Sequence, residues 1–169
     1  MEAGPISERQ RSLALFAAAA VLTVCIWFVS SMMGVVGFAG AVAEVGVGRV
    51  CLALAATFAL ACTPLAVGFA LSSLGAREEL LNGVGNLLGM LMTFLGGAWM
   101  SLSLMGPAVQ TVAHFVPTYW VNDAIGKALA SDLTSAMLGG IACDLGVTVL
   151  FAAAIAAVGL ALSRAKSRA

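Results

Sequence analysis

Apolar residues run along this chain in long stretches, and the polar ones collect between them. Four stretches stand out, at about residues 13–33, 50–71, 84–104 and 135–162. A helix of roughly 20 residues, at about 1.5 Å rise per residue, covers the ~30 Å hydrocarbon core of a bilayer. Backbone groups in lipid must pair within the segment, which selects helices here; the ~10-residue alternation that marks barrel strands does not occur. The first stretch exceeds the apolar region of a signal peptide and reads as a span. The expected fold is all-α and integral to the membrane, with about four transmembrane helices.

Between the third and last stretches, residues 105–130 are neither a span nor a soluble loop. Pro107 suits the first turn of a new helix, where its missing N–H costs nothing. Val109, Val112, Ala113, Phe115 and Val116 cover most of the piece it opens, and Gln110 and His114, four apart, share one polar edge. Pro117 stops that piece. A second one, over residues 119–130, sets Val121, Ile125 and Leu129 against Asn122, Asp123 and Lys127, with Asp123 and Lys127 an i,i+4 ion pair. Trp99, Tyr119 and Trp120 belong at headgroup level, where a ring is half wet. The pattern predicts an external helical hairpin that dips back into the interface and re-emerges. A greasy loop lying on lipid is the plainer alternative.

Composition agrees with the solvent that the pattern implies. Of 169 residues, 62% are hydrophobic and 9% charged, with mean hydropathy +1.06; a soluble domain carries about a quarter charged residues. Eight basic and eight acidic residues cancel, so no basic field points to nucleic acid, and the lipid bilayer is the first partner. With four spans, Arg9, Arg11, Arg77, Arg164, Lys166 and Arg168 share one side and only Arg49 and Lys127 the other. That bias predicts a multi-pass protein of the plasma membrane with both termini cytoplasmic and the hairpin outside.

Candidate chemistry is sparse. Gly126-Lys127 is followed by Ala128 and has Val121 where a phosphate loop needs its first glycine, so the chain is not expected to be an ATPase or other enzyme, nor to hold a cofactor. Cys25, Cys51, Cys62 and Cys143 lie mostly in apolar runs without a C-x-x-C pair and read as small hydrophobes. His114 is the one histidine and lacks metal-ligating neighbours in sequence. Gly85, Asn86, Gly89 and Thr93 form a small, polar stripe on the third helix, suited to helix packing or to lining a cavity. Thr63-Pro64 predicts a kink, the hydroxyl re-pairing backbone freed by the proline. Asp144 reads as a residue of the outer rim, since residues 145–163 already suffice to span; a titrating role is the alternative. Glu78 and Glu79 read as a solvated turn opening the third helix.

The stretch GNLLGMLMTFLGGAWMSLSLMGPAVQTVAHFVPTYWVNDAIGKAL resembles the C-terminal half of ABC-2-type permeases, the membrane subunits of ATP-driven exporters. In that family a helix ends in a Gly-Gly pair, an external re-entrant hairpin follows, and a last helix leads to a basic tail. Gly96, Gly97, Pro107, Pro117 and Trp120 match that pattern and would form the external gate. SSLGAREELLN resembles the family's cytoplasmic connection, which would bring Arg77, Glu78 and Glu79 toward the ATPase. PISERQR resembles its basic entry to a third helix.

Two features depart from the family. MSLSLM stands where a proline usually follows the Gly-Gly pair, and the resemblance implies that the sequence starts near the third helix of a six-helix permease, as expected of a truncated reading frame, one part of a split permease or a short relative. The resemblance implies an exporter component that moves a hydrophobic or amphipathic cargo, such as a drug, lipid or lipid-linked molecule. Its partners would be an ABC ATPase holding ATP and magnesium, and a second permease chain in a homo- or heterodimer. A non-transporting four-helix scaffold or regulatory subunit, and an ion-coupled transporter using Asp144, are the rival readings.

Overall fold

The computed structural model describes residues 8–73, 77–130 and 132–166. The start of the basic entry at residues 5–7, residues 74–76 of the connection and Arg168 lie outside them. In chain order the helices are α1 (Glu8–Gly37), α2 (Ala39–Val45), α3 (Val47–Ser73), α4 (Glu78–Leu95), α5 (Pro107–Ala113), α6 (Pro117–Leu129) and α7 (Ser135–Lys166). A 3-10 turn at Leu102–Leu104 precedes α5, and no strand occurs among the described residues. The protein is an all-α membrane protein.

Among the described residues three helical stretches, where four were expected, are long and apolar enough to cross a bilayer: Ala14–Gly37, Val47–Ser73 and Ser135–Ala165. The third stretch differs most from expectation. Instead of running over 84–104, the helix covers Glu78–Leu95, 18 residues or about 27 Å. It begins earlier because Glu78 and Glu79 occupy its first turn, where carboxylates favour the positive end of the helix dipole. It stops at Leu95 because Gly97 takes φ +79, while the sequence stays apolar to Met105. The gap between the first two spans also folds: α2 follows α1, and Gly46 at φ +91 turns the chain into α3.

Helices α3 and α7 form the centre, and α6 packs on both. Their shared core is Ala56, Val121, Ala124, Ala128 and Ile141, backed by Leu52, Leu60 and Leu145. Small residues dominate because helices in lipid gain no hydrophobic driving force from each other and associate by close backbone contact. Gly159 shows this at the far end of the α3–α7 contact: a Cβ there would lie 2.8 Å from Phe69 Cδ1 and 2.9 Å from Ala70 Cα. Among the long helices, α1 packs chiefly on α3. Phe16 meets Phe69 edge-on at 5.7 Å and Trp27 meets Phe58 at 4.9 Å. Trp27 Nε1 donates to Thr57 Oγ1 at 3.0 Å. The rest of α1 presents Val21, Leu22, Met33 and Val36 outward, as a lipid-facing surface does.

Candidate functional site

The joint between α4 and α6 fixes the hairpin. A helix end leaves carbonyls without intrahelical donors, and the end of α4 satisfies them in two ways. First, the chain turns back on itself. Gly97 N–H donates to Phe94 O at 3.2 Å and Ala98 N–H to Thr93 O at 3.1 Å, the pair of bonds of a Schellman cap with glycine at the left-handed position. Second, α6 supplies side chains from more than a score of residues away. Thr118 donates to Met92 O, and Asn122 Nδ2 donates to Gly96 O at 2.6 Å. Gly96 is buried, and a Cβ on it would overlap Thr118 Oγ1 and Cβ. The two glycines therefore act differently: Gly97 supplies a conformation, Gly96 an approach.

The loop after the joint is held from α5. Gln110 Nε2 donates to Leu102 O at 3.0 Å and to Met105 O at 2.9 Å. This fastens the segment that the sequence assigned to a continuing helix. Pro107 starts α5 and Pro117, buried, starts α6 as well as ending the piece before it. At the bend, His114 Nδ1 sits 2.8 Å from Gln110 O, and Trp120 Nε1 donates to His114 O at 3.0 Å. The His114 ring lies 4.3 Å from Tyr119 and 5.9 Å from Trp120. Trp120 thus locks the α5–α6 bend.

Charges tie the other end of α6 to α7. Lys127 Nζ lies 2.7 Å from Asp123 Oδ2, the pair expected from sequence, and 2.7 Å from Asp144 Oδ2. Asp144, read as a rim residue, is only 3% exposed because α6 covers it. Burial works against the Lys127 ammonium, but hydrogen bonds and charges from Asp123 and Asp144 outweigh it and raise its pKa above the ordinary value. Gly140 leaves room for the lysine stem, 3.3–3.5 Å from where its Cβ would be. Arg49 Nη1 reaches Ala130 O at 2.7 Å, pinning the C-terminal end of α6 to α3.

Alongside, α3 and α4 diverge around a half-open groove of about 530 Å³. Gly85, Gly89 and Thr93 line it, with Asn82; Asn86 is exposed just beyond the groove's edge and does not line it. Gly85 and Gly89 pack against nothing within 4 Å of a built Cβ, so within this chain they widen a groove and do not seal an interface. Thr63 also lines the groove, and its Oγ1 has no partner; the expected re-pairing to backbone does not occur. Arg77, Glu78 and Glu79 lie exposed at the opposite end of α4 from the joint. No group of three His, Cys, Asp or Glu residues suited to a metal occurs among the described residues. The four cysteines are free and exposed.

The sequence pattern marks the two glycines of the joint and the prolines of the hairpin, and shows Gln110 and Asn122 only as polar edges; Thr118 and the partners of all three are not visible in it. The i,i+4 spacing of Thr118 and Asn122 on one face of α6 was the available signal, and it has meaning only once a helix end is placed against it.

The model of the ABC-2 type transporter family matches residues 7–130, which include the groove, the joint and the hairpin, and the chain belongs to that family. Its members are membrane components of ABC transporters and work with an ABC ATPase partner. No curated protein and no solved structure matches the chain.

Proposed function

We propose that this chain is an exporter permease in the plasma membrane, with cytoplasmic termini, α4 as a span alongside the three longer helices and the segment from Gly96 to Leu129 as its external gate. ATP, with magnesium, is hydrolysed on a separate ATPase subunit; the sequence itself carries no phosphate loop. Two permease chains enclose an apolar path, and the cargo is hydrophobic or amphipathic, in keeping with 9% charged residues and lipid-like helix surfaces.

The observation that carries this reading is the Gly96–Thr118–Asn122 joint in a chain of the ABC-2 family. Helix α4 is a rod about 27 Å long, with Arg77, Glu78 and Glu79 at one end and the hairpin clasped to the other. A push at the charged end arrives at the hairpin without an intervening flexible loop. Closure of the ATPase is the source of that push, and displacement of α6 is the opening.

The test is ATP-driven efflux of rhodamine 6G from vesicles holding the complete assembly. Trp120→Asp and Gly97→Glu are expected to abolish efflux while the assembly still forms and hydrolyses ATP. Unchanged efflux from both variants defeats the gate assignment.

A further inference from the structure

Thr63 stands apart from the other threonines. Thr23, Thr93, Thr111 and Thr148 turn their hydroxyls back to the carbonyl four residues earlier, at 2.8–3.0 Å. Thr57 bonds Leu54 O at 2.9 Å, Thr118 bonds Met92 O, and Thr134 accepts from Met137 N–H at 3.3 Å. Thr63 is 2% exposed, and its Oγ1 is the one buried side-chain polar atom without a partner among the described residues. Its neighbour Pro64 has no N–H to give the Leu60 carbonyl. One turn of α3 thus combines an unspent hydroxyl with a deleted backbone bond, in a setting where unpaired polar groups are costly. Leu60, Thr63 and Pro64 all face the α3–α4 groove.

The groove has the dimensions of a ligand site. About 530 Å³ falls within the roughly 300–1,000 Å³ of small-molecule pockets. It runs from Leu60 to Leu71 on α3 and from Leu81 to Thr93 on α4, roughly 16–18 Å along the helices and thus about half of the ~30 Å hydrocarbon core. Gly85 and Gly89 give it width. The hydroxyls of Thr93 and Thr118 at its hairpin end are already spent on backbone carbonyls. Thr63, closer to that end than to the other, is the hydroxyl left to recognise an occupant.

We propose that this groove binds an elongated, acyl-chain-like molecule that carries one hydrogen-bonding group partway along its length, met by the Thr63 hydroxyl. The body of the ligand lies against the glycine wall and enters sideways from the bilayer. Binding stands on the groove alone; that the occupant is exported rests on the transport reading above.

The experiment uses the full chain in lipid nanodiscs, with empty nanodiscs as blank, and follows displacement of a pyrene-labelled fatty acid. The competitors are 12-hydroxystearate and stearate, which differ by one mid-chain hydroxyl. The hydroxylated chain is expected to compete at roughly five-fold lower concentration, the value of one ordinary hydrogen bond. Thr63→Val, which keeps the side-chain shape, should bring the two to parity, and Gly89→Leu should weaken both. Equal competition in the unaltered protein, or a hydroxyl preference that survives Thr63→Val, overturns the proposal. Absence of binding by either chain also overturns it, as when a helix of another protein fills the groove; ATP-driven efflux by the assembly would then still uphold the permease function. If binding behaves as expected but export of 12-hydroxystearate is the same in wild type and Thr63→Val, the groove stands as a lipid site and its occupant is not cargo.

Discussion

Gly96 and Thr118 meet so closely that no side chain fits between them: the Thr118 hydroxyl bonds the last turn of α4 across the bare Cα of Gly96. The contact joins two helices 26 residues apart in sequence and makes the end of α4 the seat of the hairpin. Any side chain at Gly96 pushes Thr118 away and breaks its bond to the Met92 carbonyl, which keeps only the Gly96 N–H as donor.

Gly96→Val should therefore lower stability by about 2 kcal/mol or more, combining overpacking with a lost hydrogen bond. Gly97→Ala strains a positive φ and should cost about 1 kcal/mol without displacing Thr118. Thermal unfolding in detergent measures both, and a larger loss from Gly97→Ala than from Gly96→Val would contradict the division of roles.

The Lys127–Asp144 pair has one buried and one partly exposed member. Removing the buried carboxylate's partner is the harsher change: Lys127→Met should cost about 2–3 kcal/mol, toward the lower side of the range for fully buried pairs because Lys127 reaches solvent. Adding Asp144→Leu should recover part of that loss. Absence of such recovery in a double-mutant cycle would show that the two groups are not coupled.

A pH dependence follows from the same lysine. Its pKa is raised in the folded protein, so its stabilisation is fully present below the unfolded value, about 10.4, and is lost as pH rises through the higher folded one. The melting temperature should fall in that alkaline window. Lys127→Arg should remove this component, since arginine keeps its charge there; an identical alkaline fall in both proteins would assign it elsewhere.

Gly159→Leu should separate α7 from α3, because Phe69 and the Ala70 backbone occupy the space. A loss of at least 2 kcal/mol is expected. A cysteine pair engineered on those two helices near residue 159 should crosslink in wild type and not in the variant.

The parts of the fold that announced themselves were those with a local cause. Pro107 marks a helix start and Pro117 a break by themselves, though Pro117 also opens α6, two residues before the expected start, and the Asp123–Lys127 spacing describes a helix face by itself. Helix α4 was drawn too long because hydropathy does not register a backbone reversal: Met100 to Met105 stays apolar after Gly97 has turned the chain. The burial of Asp144 was not legible because its cover comes from Lys127 and α6, at a sequence distance of 17. The stripe of Gly85 and Gly89 was visible as small residues, but whether such a stripe closes on a neighbour or leaves a hollow depends on where α3 lies. Thr63 was marked by its place before Pro64, but the expected bond to backbone was the wrong reading, since its hydroxyl has no partner.

Helix α1 touches α3 through Phe16 and Trp27, eleven positions or about three helical turns apart. Both rings consequently project from the same stripe. Ala20, Thr23 and Ser31 on that stripe are half-buried as well, so the two aromatic contacts are anchor points of one seam along α1. The seam fixes which face of α1 is turned away from α3: the opposite one, with Leu22, Met33 and Val36 exposed, is the apolar surface that this helix leaves for lipid or for another chain.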